Sequence, residues 1–144
     1  MSKVHEPPVN FSPWMPWEHR NLVPNSHLPG VYLLAQFEAA VPALVDTLAN
    51  EIVYIGETTD QSLQGRWQQF NRSAFSGKPG HAGGMLYHEF VGDEGQTLYV
   101  AAFVPQGLSR ELRTVYIRHV AARLIWEWAR QWDSAPICNS RPGS

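Results

Sequence analysis

The sequence predicts an α+β domain: a small, mainly antiparallel β-sheet flanked by α-helices and entered through a proline-rich arm. Three observations carry that expectation. Residues 31–37 (VYLLAQF) and 52–55 (IVYI) are short, apolar and rich in β-branched and aromatic side chains, as buried strands are. Residues 62–75 and 109–132 repeat apolar residues at three- and four-residue steps, the mark of a helix with one buried stripe. Prolines and glycines gather between and before these runs, where they punctuate rather than interrupt.

Residues 1–29 hold Pro7, Pro8, Pro13, Pro16, Pro24 and Pro29, with Trp14 and Trp17 among them. That density excludes a regular helix or a central strand. The segment reads as an irregular arm, either pinned to the domain by its tryptophans or reserved for a protein partner. The domain proper spans 30–144. After the first strand, 41–49 (VPALVDTLA) reads as a short helix with Pro42 in its first turn. The second strand ends in the turn 56–60, and Asp60 or Ser62 caps the next helix. That helix places Leu63, Trp67, Phe70 and Ala74 on one face.

The segment 76–84 (SGKPGHAGG) reads as a mobile loop, because four of its nine residues are glycine and one is proline. Residues 85–91 and 97–104 flank Gly92-Asp93-Glu94-Gly95 and read as a β-hairpin supplying the third and fourth strands. Ser109 caps the last helix, whose buried stripe is Ile117, Ala121, Leu124, Ile125, Trp128 and Trp132. Pro136 ends it.

At 144 residues one domain suffices for a core that needs no staples. The single cysteine, Cys138, excludes an internal disulfide or a cysteine-based zinc cluster. No apolar run approaches the roughly 18 residues of a membrane span, and the polar, proline-rich start lacks a signal peptide's apolar stretch. A cytoplasmic protein with no membrane partner is expected. The formal net charge of −2 gives no broad basic footprint. A local patch is available in Arg66, Arg72 and Lys78, which lie close together in the chain.

The ordered set Gly30-Val31-Tyr32, Tyr54-Ile55-Gly56, Arg66 and Pro136-x-x-Asn139 resembles the GIY-YIG nuclease family over residues 30–139. The resemblance implies a three-stranded antiparallel core with flanking helices. It also implies hydrolysis of DNA phosphodiester bonds with one divalent ion, Mg2+ or Mn2+, on a helix-borne glutamate. Tyr32 and Tyr54 match its two tyrosines, one to orient or deprotonate water and one to bind phosphate. Arg66 matches its phosphate clamp, a role suited to the two parallel donors of a guanidinium. Asn139 matches the terminal asparagine that braces the site, and Gly56 would turn the backbone just past the strand end.

Two positions depart from the family pattern. Phe70 stands one helical turn after Arg66, where a tyrosine or histidine is usual, and His81 in the glycine-rich loop is the replacement within reach. Arg72, Lys78 and His81 are the candidates for contacting substrate. Glu127 has the family spacing to Pro136 and Asn139 and is the candidate metal ligand. The pair Leu124-Ile125 instead marks Ala121 as the equivalent position, and the two lie about 120° apart round a helix. With Glu127 in the site, the resemblance implies an active endonuclease. With Ala121 in that position, it implies a catalytically inactive fold that binds nucleic acid or protein through the same groove.

Overall fold

The computed structural model describes residues 4–139. It is α+β, with a four-stranded antiparallel sheet and helices on both of its faces. The strands are β1 (Met15–Pro16), β2 (Gly30–Gln36), β3 (Ile52–Thr58) and β4 (Leu98–Phe103). Their order across the sheet is β1-β4-β2-β3. The helices are α1 (Leu63–Ser76), α2 (Ala82–Phe90) and α3 (Arg110–Trp132), and a 3-10 helix covers Trp17–Leu22. Among the described residues no helix is long and apolar enough to cross a membrane.

Central β2 explains its own composition. Helices cover both of its faces, so it reads as a continuous apolar run rather than an alternating one. Tyr32 and Leu34 point to one side, against Leu63, Trp67 and Phe70 of α1 and Leu86 and Tyr87 of α2. Val31, Leu33 and Ala35 point to the other, against Ile117, Val120, Ala121, Leu124 and Trp128 of α3. Pairing with β3 slips between Leu34 and Ala35, which face Tyr54 and Ile52, leaving Val53 as the extra residue. That bulge turns both Val53 and Tyr54 toward the α1/α2 face.

The first long helix forms as expected. Ser62 Oγ accepts from the Gly65 N–H at 3.0 Å, and Leu63, Trp67, Phe70 and Ala74 are all buried. Helix α3 is capped by Ser109, whose Oγ accepts from the Leu112 N–H at 3.3 Å. Its buried stripe is narrower than expected: Ile125 is only partly buried and Trp132 is exposed, both replaced by Val120 nearer the centre.

Three expectations are corrected. Residues 41–49 form turns, not a helix. The Asp46 side chain accepts from the Leu48 N–H at 2.9 Å, an alternative to helical bonding that so short a segment adopts readily. The four-residue rhythm of Val41, Val45 and Ala49 is real but serves packing against α3.

Residues 85–91 are not a strand, and there is no 85–104 hairpin: 82–90 is helix α2. Gly83 and Gly84 in its first turn hide its helical character, since glycine is a poor helix former. They are there for packing. A Cβ on Gly84 would stand 2.7 Å from Ser73 Cβ and 2.9 Å from the Phe70 carbonyl oxygen, so α1 and α2 meet backbone to backbone. The fourth strand comes instead from the arm, where Met15 and Pro16 pair with Val100 and Tyr99. Proline is tolerated there because β1 is an edge strand. Trp17 is buried on the α1/α2 face and Trp14 on the α3 face, so both arm tryptophans belong to the core.

Candidate functional site

The two tyrosines meet because β2 and β3 are adjacent and antiparallel. Tyr32 pairs with Gly56, and Tyr54 sits two residues back on the same face. Gly56 lies inside β3, not past its end. A side chain there would collide with the rings of both Tyr32 and Tyr54. Its role is therefore to leave room for two phenols, whose ring centroids lie 5.9 Å apart. Gly83 closes the pair from the other side, since a Cβ there would stand 2.5 Å from the Tyr54 ring.

His81 enters from the loop before α2. Ser73 fixes it in place: the Ser73 hydroxyl donates to the Lys78 carbonyl at 2.6 Å and accepts from the His81 N–H at 3.1 Å. His81 also caps α2, its Nδ1 accepting from the Gly84 N–H at 3.0 Å. With Nδ1 an acceptor, the neutral ring carries its proton on Nε2, which lies 3.0 Å from Tyr32 Oη and donates to it. The imidazole is 1% exposed. Burial, helped by the Arg66 charge, lowers its pKa to about 3, so it is neutral at physiological pH. Phe70 packs edge-on against the imidazole with centroids 5.2 Å apart. Histidine and phenylalanine thus share the region beside the tyrosines.

Arg66 reaches the same place from α1. Its guanidinium donates to Gln69 Oε1 at 2.7 Å and to the Gly80 carbonyl at 3.5 Å. Burial raises both phenol pKa values, strongly for Tyr32, where the Tyr54 phenol adds to the effect. Arg66 opposes the rise at both. Both tyrosines are protonated donors at neutral pH. Tyr32 is wholly buried, which makes it a positioning residue that holds His81 and supports Tyr54. Tyr54 and Arg66 are half-buried and form the part of the cluster that faces outward.

Asn139 braces the free edge of β3. Its Oδ1 accepts from the Ile55 N–H at 2.9 Å and its Nδ2 donates to the Ile55 carbonyl at 2.8 Å. The amide thereby replaces the missing neighbour strand at the residue between Tyr54 and Gly56, and the Cys138 N–H adds a bond to the Val53 carbonyl at 2.9 Å. Arg72 and Lys78 are exposed beside the loop.

Glu127 is not brought to this cluster. It lies on α3, on the opposite face of the sheet, 3.7 Å from Arg123, which also approaches Glu6 at 3.9 Å. Ala121, the other candidate position, is buried among the aliphatic side chains of that same face. Among the described residues, no group of three or more His, Cys, Asp or Glu side chains converges in a way that could hold a metal. A hard divalent ion needs oxygen ligands, and α3 offers the tyrosine face none. The residues present do not fit the one-metal arrangement that the resemblance implies.

Glu57 is the carboxylate whose charge is felt at Tyr54, where it adds to the raised pKa. It pairs across the sheet with Val31, which places it on the α3 side near Arg118, with Oε2 buried and lacking a hydrogen-bond partner. Glu57, Ser73 and Gly83 are not marked as site residues by the sequence. Only Glu57 carried a signal, its position directly after Tyr54-Ile55-Gly56. The cluster offers neutral donors and one guanidinium. No protein-family model, curated protein or solved structure matches the chain.

Proposed function

We infer that the domain holds a DNA backbone phosphate at the outward side of Tyr54 and Arg66, without hydrolysing it. The observation that carries this reading is the separation of the parts. Tyr54, Arg66 and the His81-capped start of α2 share one face, while Glu127 is engaged with Arg123 on the other. A phosphate can take two parallel bonds from Arg66 and one from the Tyr54 hydroxyl. Arg72 and Lys78 lie close enough in the chain to extend the contact along a backbone. With three cations engaged, the logarithm of affinity should fall with the logarithm of salt at a slope of about −3. Binding is therefore expected at low ionic strength.

The second reading, an endonuclease, stands on the same tyrosines and arginine and requires a carboxylate beside them. One experiment separates the two. Fluorescence anisotropy with duplex and branched DNA is followed across salt for wild type and Arg66→Ala, alongside supercoiled plasmid in Mg2+, Mn2+ and EDTA. The binding reading expects roughly a tenfold loss for Arg66→Ala and intact plasmid in every metal. Metal-dependent nicking that Arg66→Ala abolishes would establish the nuclease instead. DNA affinity unchanged by Arg66→Ala would remove the site from both readings.

A further inference from the structure

Helix α3 carries a second apolar stripe that the fold does not use. Leu112, Val115, His119, Ala122, Trp126 and Ala129 follow one another at steps of three, four, three, four and three. That is the spacing of a two-stranded coiled-coil seam. It lies opposite the buried Ile117, Val120, Ala121, Leu124 and Trp128, and its large members are open: Leu112 is 43%, Val115 61% and Trp126 62% exposed. Exposing an indole and two aliphatic side chains in one line marks a contact surface.

We propose that two copies of this chain pair through this stripe as an antiparallel, two-fold helix pair, each inserting Trp126 into the other. The receiving groove is present. It has a volume of about 380 Å³ and is walled on α3 by Leu112, Val115, Tyr116 and His119, and on the other side by residues 4–7 of the arm. Those four α3 positions are i, i+3, i+4 and i+7, the set that forms a hole for one knob. Centring the pair between Val120 and Ala121 puts the partner's Trp126 opposite Val115. The same register sets Leu112 opposite the partner's Ala129 and His119 opposite the partner's Ala122, so each bulky residue meets a smaller one. A two-fold axis repeats each match, which makes the surface self-complementary.

Size selects the direction. A parallel, in-register pair would stack Trp126 on the partner's Trp126. The antiparallel pair avoids this, and Glu6, which already approaches Arg123, lies on the side where the partner's Arg123 arrives. The seam spans about 27 Å of helix. So short a seam is expected to give a weak dimer, with dissociation on the order of micromolar.

Sedimentation equilibrium from micromolar to millimolar protein tests the pairing. Wild type should move from monomer to dimer, and Trp126→Ala should remain monomeric with unchanged far-UV circular dichroism. Direction is read by oxidative cross-linking, which the buried Cys138 does not disturb. The double variant Leu112→Cys/Ala129→Cys should give a covalent dimer. Leu112→Cys alone should not, since it cross-links only a parallel pair. A wild type monomeric throughout, a dimer that survives Trp126→Ala, or cross-linking by Leu112→Cys alone would each overturn the proposal.

Discussion

The two faces of the sheet are built on different principles. On the α3 face Val31, Leu33, Ala35, Ile52 and Ile55 meet Ile117, Val120, Ala121 and Leu124, aliphatic side chains that can shift and refill space, alongside the rings of Trp14, Phe37, Phe103 and Trp128. The α1/α2 face is aromatic and hydrogen-bonded, with Tyr32, Tyr54, Trp67, Phe70, Tyr87 and His81 in mutual edge contacts. Its close approaches are set by Gly56, Gly83 and Gly84, where no side chain fits. Both faces are packed core, but the second also fixes two phenols, an imidazole and a guanidinium relative to one another.

Adding one methyl group to the rigid face should break that contrast hardest. Gly56→Ala places a Cβ against both tyrosine rings, and neither ring can move without displacing His81 or Gly83. A loss of about 3 kcal/mol is expected in urea denaturation, together with loss of any DNA binding. On the α3 face Leu124→Ala should cost a similar amount, about 3 kcal/mol, yet leave DNA affinity within twofold of wild type when measured well below the unfolding transition. Equal affinity loss from both variants would show that the faces are not functionally separate.

A smaller effect is expected where the edge of β3 is pinned. Asn139→Ala removes two hydrogen bonds to Ile55 and exposes a strand edge beside Tyr54. A loss of about 2 kcal/mol follows from two such bonds. Hydrogen exchange should speed up at Ile55 and Tyr54 and stay unchanged in the centre of α3. Uniform acceleration across the chain would mean that Asn139 supports the whole fold rather than this edge.

The same contrast governs what could be read in the sequence. β2, β3, α1 and α3 were legible because periodicity reports burial, and each buries a face of regular spacing. Helix α2 was not, because its glycines were selected by the crowding of Tyr54 and α1, and glycine reads locally as loop. Residues 41–49 misled in the opposite direction, having helical spacing without helical bonding. At the site, Tyr32, Tyr54 and Arg66 were placed together by order along the chain. His81 is no more than a candidate in the sequence, since its convergence depends on Ser73 and on a helix the sequence conceals. Glu127 is suggested by spacing to a later loop, which carries no information about the face from which a helix meets the sheet.

Acid should act on the two faces in opposite senses, because burial lowers the His81 pKa on the aromatic side and raises that of Glu57, the partly buried acid on the α3 side. His81 takes up a proton near pH 6.5 in the unfolded chain, but only near 3 in the folded one. Between those values the unfolded state binds more protons, so stability falls as pH drops from 6.5 toward 3. The limit is about 1.4 kcal/mol per pH unit for one group. Carboxylates also contribute to acid unfolding, so the measurement that isolates His81 is a difference. His81→Asn keeps a side chain able to cap α2 while removing the titration. Urea midpoints of wild type and His81→Asn between pH 7 and 5 should show the variant less stable at pH 7 and the gap narrowing as pH falls. A gap that stays constant would mean that the folded protein takes up the proton as readily as the unfolded chain. The imidazole would then not be held neutral between Gly84 and Tyr32.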